Sequence, residues 1–239
     1  MTSTATTLEY TAGDTLCNGV YFVPEKANGP LPVVMVVHAW DGLNQEVRDK
    51  ATKLADAGYI AFAVDVHGGG KTINDIAELL PTLTPYLEDR NLLLQRMQGA
   101  LAAAKMIPGA DPSRIGAMGY CFGGMAVLDL ARAGGEELKA AVTFHAGLEG
   151  NTLDTPATLN AKILVLHGED DPMVPPAIVA AFKQEMNAKK VDWQLHSYSQ
   201  TVHAFTRPDA NDPAFGAVYN LSADRRSWQA MLNFFTEVI

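Results

Sequence analysis

The sequence predicts a single α/β domain with a mainly parallel sheet and helices on both of its faces. Three observations predict it. Short aliphatic runs recur along the chain without the alternation of a half-solvated strand, as in strands buried on both faces. Longer segments with apolar residues at helical spacing separate these runs. No linker-like stretch and no internal repeat divides the 239 residues, so residues 1–239 are read as one domain.

The elements follow in order. Val20-Tyr21-Phe22-Val23, with turn residues around it, reads as part of a hairpin added at one edge. Val33 to Val37 follows Pro32 and is β-branched-rich, which predicts a fully buried strand. Residues 44–57 place Val47, Ala51, Leu54 and Ala55 on one helical face, and Gly58 ends that helix. Tyr59 to Val66 is a second apolar strand. A glycine turn at 68–70 leads into a long helical region, which Pro81 and Pro85 are expected to interrupt. Ile115 to Tyr120 is a third strand, and an Ala/Leu helix runs from Phe122 to Arg132. Ala140 to His145 and Lys162 to His167 supply two more strands. A helix over 176–189, a strand over 191–198 and an amphipathic helix near 214–237 complete the chain. In open parallel sheets ligands bind outside the carboxyl ends of the strands, so the residues just after each strand are where chemistry is to be sought.

Composition narrows the function classes. The chain is 48% hydrophobic and carries a net charge of −9, with no basic patch, so disorder and nucleic-acid binding are both set aside. Met1 to Thr7 has neither a basic leader nor an apolar core. No apolar run approaches the ~20 residues of a membrane helix. A cytoplasmic protein with no membrane partner is the expectation. Two cysteines are too few for a disulfide framework, and each needs its own explanation. Nothing in the sequence speaks to oligomeric state.

Cys121 lies in Gly119-Tyr120-Cys121-Phe122-Gly123-Gly124, between a predicted strand and a predicted helix. This is the G-x-nucleophile-x-G pattern with Cys where Ser is more usual. A nucleophile on so tight a turn sits in a strained conformation, and glycines on either side avoid backbone clashes. The helix start presents its positive end to the sulfur, favouring thiolate, and the Phe122 N–H is placed to donate to an oxyanion. Taken alone, the pattern also fits a buried cysteine packed between glycines. The partners give it weight. An α/β-hydrolase requires an acid after a later strand and a His after the last one. Lys162 to His167 is followed by Gly168-Glu169-Asp170-Asp171-Pro172-Met173-Val174-Pro175, where Asp171 stands beyond the turn while Glu169 and Asp170 are expected to cap or face solvent. Thr201-Val202-His203-Ala204-Phe205 follows the last strand. Cys121, Asp171 and His203 therefore form a candidate triad of nucleophile, orienting acid and base.

These residues resemble the dienelactone hydrolase family of α/β-hydrolases. The resemblance rests on Gly-Tyr-Cys-Phe-Gly-Gly at 119–124, His167-Gly168-x-x-Asp171-x-x-Val174-Pro175, and His203-Ala204-Phe205. His38-Ala39-Trp40-Asp41-Gly42-Leu43-Asn44 is similar to the family's oxyanion loop, and Ala57-Gly58-Tyr59 with Val64-Asp65 to its next strand. The likeness runs roughly from Val33 to the C-terminus, and the elbow Cys is its most specific element. It implies a Cys-dependent hydrolase of small carboxylic esters or lactones, needing no cofactor and having little or no lid. By position, Trp40 N–H is the second oxyanion donor, and Arg207 matches an arginine that holds a substrate carboxylate.

Two departures bear on substrate. The family commonly carries Glu after the position of His38, where it takes part in switching the Cys between thiol and thiolate; here the residue is Ala39. A methyl group cannot accept a proton, which points to broader substrate acceptance unless Asp41 substitutes. A second substrate-binding arginine is replaced by Val66-His67-Gly68-Gly69-Gly70-Lys71, so dienelactone itself is not expected as substrate. Ala39, His67 and Arg207 are the expected substrate-contacting residues. A promiscuous hydrolase of activated esters including phosphotriesters, and a non-catalytic binding relative, are the alternatives.

Other signals have blander readings. His38, His67, His145 and His167 lie at strand ends, but no H-E-x-x-H or C-x-x-C spacing exists, and no metal is expected. The glycines before Lys71 lack the G-x-x-x-x-G-K-[ST] frame of a phosphate loop. Cys17 reads as a small packing residue. Ile73 to Tyr86, broken by two prolines, is the best candidate for a mobile flap over the pocket, with a kinked surface helix as the plainer alternative.

Overall fold

A computed structural model describes residues 4–26, 29–151, 153 and 155–239. The predicted edge hairpin is β1 (Thr4–Ala12) and β2 (Thr15–Val23). The strands that follow are β3 (Leu31–Val37), β4 (Ile60–Val64), β5 (Ala110–Tyr120), β6 (Leu138–Phe144), β7 (Lys162–Gly168) and β8 (Trp193–Tyr198). The helices are α1 (Gln45–Asp56), α2 (Leu79–Glu88), α3 (Arg90–Lys105), α4 (Phe122–Arg132), α5 (Pro176–Ala188) and α6 (Leu221–Val238). The eight strands form one sheet in the order β1-β2-β4-β3-β5-β6-β7-β8. From β4 to β8 every pairing is parallel, and only β1 and β2 run against their neighbours. This is the α/β-hydrolase fold, as the alternation of strands and helices implies.

Residues that point to opposite faces of a strand feed two separate cores. Val33, Met35 and Val37 of β3 pack with Leu93 and Met97 of α3, Val127 of α4 and Phe182 of α5. Val34 and Val36 pack on the other face with Leu54 of α1 and Phe235 of α6. These five residues of β3 are fully buried, so each apolar side chain contributes about 1.5–3 kcal/mol by leaving water. That two-sided burial is why the run shows no alternation.

Two expectations need correction. The helical region is not interrupted at Pro81 or Pro85, because α2 contains both. Pro81 sits in the first turn, where the missing N–H is not needed. The break falls instead at Asp89, whose extended backbone and carboxylate cap α3 through the N–H groups of Asn91 and Leu92. The last helix does not begin near 214. Gly216, at φ +79°, turns the chain between two short strands, β9 (Asn211–Asp212) and β10 (Ala217–Val218), and Asn220 caps α6.

Topology places the site. β3 lies between β4 and β5, so the chain leaves it towards one side and later returns on the other, opening a crevice at its carboxyl end. Gly123 brings the walls of this crevice together. A Cβ there would lie 2.3 Å from the His38 carbonyl and 2.5 Å from that of Val37, so α4 presses directly on the end of β3.

Candidate active site

Cys121 occupies the turn between β5 and α4 with φ +51° and ψ −116°, a conformation that costs a non-glycine residue on the order of 1–3 kcal/mol. Its N–H donates to the Phe144 carbonyl at 3.0 Å, which locks the turn to β6. Any side chain at Gly119 would put a Cβ 2.2 Å from the Gly123 carbonyl oxygen. The elbow thus exists because glycines stand where the backbone crosses itself, as the motif requires.

Cys121 and His203 both line a cavity of about 550 Å³. His203 follows β8, and its backbone is pinned by Gly216 and Val218 on either side. Its Nδ1 hydrogen-bonds Asp171 Oδ2 at 2.8 Å, and Asp171 Oδ1 accepts the Met173 N–H at 2.9 Å. Asp171 is buried, whereas Glu169 and Asp170 are exposed, so the structure brings the predicted acid to the histidine and leaves the other two in solvent. The His203 Nε2 is buried without an aligned partner among the described residues. Burial disfavours the imidazolium, but the hydrogen bond to Asp171, with the charge of Asp171 and of the Cys121 sulfur, overrides it and pushes the pKa up to about 10. The surroundings of His203 thus favour its charged form.

The oxyanion loop after β3 is held by two histidines that sequence reasoning assigned no such part. His38 Nδ1–H donates to the Ala39 carbonyl at 2.6 Å, while its Nε2 accepts the Val66 N–H at 3.2 Å. Both nitrogens are thereby committed to the neutral ring, and burial also lowers its pKa. The Ala39 carbonyl and the Trp40 N–H belong to one planar peptide and point in opposite directions. Fixing the first aims the second. His67 holds the next carbonyl, that of Trp40, through Nε2 at 3.0 Å. Among the described residues, neither Trp40 N–H nor Phe122 N–H donates to a backbone carbonyl. The signal for the two histidines was their position at the ends of β3 and β4, but the contacts themselves leave no trace in spacing.

The expected substrate-contacting residues part company. Ala39 and Arg207 line the cavity. His67 stands behind the loop, with its ring near those of His38, Tyr86 and Phe122, and burial lowers its pKa to about 4. Asp41 does not reach towards the cysteine as a substitute for the absent Glu. Its Oδ2 instead accepts from Arg207 Nη1 at 2.7 Å and Asn44 Nδ2 at 2.8 Å. His145, left-handed at φ +40°, bonds Thr206 Oγ1 through Nε2 at 2.9 Å and lies edge-on to His203. Burial, first, and the neighbouring His203 hold His145 far below its ordinary pKa, so it stays neutral beside the triad. Ile76, Leu79 and Leu83 from the predicted flap segment form part of the apolar wall.

The glycine turn also has a structural explanation. Asp65, fully buried at the end of β4, accepts the N–H groups of Asn18, Gly68 and Gly70 at 2.8, 2.9 and 2.6 Å. The concavity that positive-φ glycines offer to an anion is filled by a carboxylate of the same chain. Cys17 is fully buried in β2, where burial and then Asp65 push its thiol up to about 11. Among the described residues, no group of three His, Cys, Asp or Glu side chains could hold a metal ion, and no helix is long and apolar enough to cross a membrane.

The chain is similar to known proteins over most of its length. The "Putative carboxymethylenebutenolidase" of Escherichia coli (strain K12) is 30% identical over 225 residues, covering 90% of this chain and 80% of its own. The crystal structure of the dienelactone hydrolase-like promiscuous phosphotriesterase P91 from metagenomic libraries is 39% identical, with a TM-score of 0.95 over 100% of this chain and 99% of that one. A crystal structure from Klebsiella pneumoniae subsp. pneumoniae, described as a "Putative Dienelactone Hydrolase", is 28% identical, with a TM-score of 0.81 over 98% of each chain. The model of the dienelactone hydrolase family matches residues 17–239, and the chain belongs to that family.

Proposed function

We propose that the protein hydrolyses carboxylic esters or lactones by covalent catalysis at Cys121, without a cofactor. The observation that carries this reading is the elbow cysteine at φ +51° sharing a cavity with the buried His203–Asp171 pair. In the resting pair the thiol proton already sits on His203, and the Cys121 sulfur attacks the substrate carbonyl as thiolate. The resulting oxyanion rests on the N–H groups of Trp40 and Phe122. His203 returns the proton to the departing alkoxide, leaving a thioester on Cys121. It then takes a proton from water, which attacks the thioester and releases the acid and the thiolate. Asp171 keeps the imidazole ring oriented and stabilises its cation.

Iodoacetamide tests the nucleophile without mutagenesis. Inactivation is expected to follow alkylation of Cys121 and to be slowed by substrate, because Cys17 is buried with its thiol pushed up to about 11. Alkylation of Cys121 that left turnover intact would remove the reading.

The resting imidazolium makes a pH prediction. A group whose pKa is raised on folding contributes stability that is complete below its ordinary pKa of 6.5 and is lost as pH climbs through about 10. The leaving group needs the same proton. Acyl transfer is therefore expected to hold across the range where a free histidine would titrate and to fall near pH 10, with thermal stability declining over the same interval. A profile with its alkaline limb near pH 6.5 would contradict the charged resting state.

The oxyanion loop makes another. His38→Leu frees the Ala39 carbonyl and is expected to lower kcat by about 10- to 100-fold with little change in KM. His38→Asn, whose amide can still donate to that carbonyl, is expected to recover part of the loss. A proportional rise in KM would assign His38 to substrate binding instead.

A second reading has one specific support. P91, alike over the whole chain, is named a promiscuous phosphotriesterase, and Ala39 places no carboxylate beside the nucleophile. We propose activated aryl phosphotriesters as secondary substrates. Turnover of paraoxon that disappears with Cys121→Ala tests this, and a burst that stops after one equivalent would mark a trapped phosphoryl-cysteine.

A further inference from the structure

The cavity lining holds an arginine whose Nε and Nη1 are already engaged by carboxylates of the protein itself. Arg207 Nη1 donates to Asp41 Oδ2 at 2.7 Å, Nε to Asp209 Oδ1 at 2.8 Å, and Nη2 approaches Asp209 Oδ2 at 3.5 Å. These are the contacts through which an arginine would grip a substrate carboxylate. Asp41 is buried and also held by Asn44, so it is a fixed partner rather than a passing one. Glu46 and Asp212 also line the cavity, together with Lys50 and His203. Lys50 is itself engaged, donating to the Thr206 carbonyl at 3.2 Å and standing 3.6 Å from Asp224. Four carboxylates thus line the cavity beside Arg207, Lys50 and His203, and each of these three is already paired, His203 with Asp171. The remaining lining is largely apolar, including Trp40, Leu79, Met173 and Phe215.

We propose that this cavity selects ester or lactone substrates that carry no negative charge, and that Asp41 and Asp209 set this selection by occupying Arg207. The inference rests on the ester-hydrolase reading and names the substrate class within it. An anionic substrate must either displace Asp209, leaving that carboxylate uncompensated beside Asp41, or share Arg207 with two carboxylates already bound to it. Both routes cost free energy that an uncharged substrate does not spend. The enzyme discriminates by repulsion from these carboxylates and by contact with the apolar lining.

The test compares p-nitrophenyl hexanoate with mono-p-nitrophenyl adipate. They share a leaving group and an alkyl chain and differ by a terminal carboxylate remote from the reacting carbonyl, so the ratio of their kcat/KM values reports recognition. The wild-type enzyme is expected to favour the neutral ester by about tenfold or more at low salt, with the preference shrinking as salt rises. Asp209→Asn replaces a side chain that is 73% exposed, so the fold is expected to tolerate it. It should shift the ratio towards the adipate ester by roughly three- to tenfold, and the Asp41→Asn/Asp209→Asn double variant should shift it further. A wild-type preference for the adipate ester, or a ratio that Asp209→Asn leaves unmoved at low salt, overturns the inference. Failure of the wild type to hydrolyse either ester overturns the hydrolase reading instead.

Discussion

Cys121→Ala is expected to reduce turnover of p-nitrophenyl acetate by at least about 10⁴-fold in kcat, leaving only what the cavity and its N–H groups give to attack by water. The magnitude follows from the division of labour in the site. Without the sulfur there is no thioester, and His203 has only a poorly placed water to activate. The substitution is conformationally mild, since alanine and cysteine face the same strain at φ +51° and the Cys121 N–H keeps its bond to Phe144. Loss of activity with unchanged near-UV circular dichroism therefore isolates chemistry from folding. Activity within tenfold of wild type would return Cys121 to the status of a buried packing residue.

Asp171→Asn is expected to cost about 10³- to 10⁴-fold in kcat, with KM little altered. Asn cannot supply the charge that holds His203 well above its ordinary pKa, and its amide can present an N–H where the imidazole also has one. The Met173 N–H still has an acceptor at this position, so the acid turn should keep its shape. The alkaline limb of the pH profile should move down from near pH 10 as well. That second readout separates loss of the charge from general damage to the turn.

Much of this was legible in the sequence because it depends on local pattern. Val33 to Val37 announces a two-sided strand through five consecutive apolar residues, and all five are buried. The elbow is legible because Gly119 and Gly123 stand where the backbone leaves no room for a Cβ. Asp171 and His203 follow their strands in the order the fold demands, and the structure joins them at 2.8 Å.

What stayed hidden depends on contacts between distant segments. Arg207 and Asp41 are 166 residues apart, and neither carries a mark of the other, so the arginine reads as free until the loops are seen together. The ties from His38 and His67 to the oxyanion loop are side chain to backbone, and backbone carbonyls have no identity in a sequence. The prolines of α2 misled for another reason. Proline opposes a helix through a missing N–H and a clash with the preceding turn, and Pro81 lies where that N–H has no intrahelical partner.

The central claim is a covalent acyl-cysteine, and trapping it is the most direct test. Wild-type enzyme mixed with excess p-nitrophenyl acetate, quenched in acid within a turnover and digested, is predicted to carry one acetyl group on the peptide containing Cys121 and none on the peptide containing Cys17. The adduct should be lost on treatment with neutral hydroxylamine, as a thioester is. An enzyme that turns over the ester while Cys121 stays unmodified at every quench time, or that carries its acetyl group elsewhere, would contradict the account.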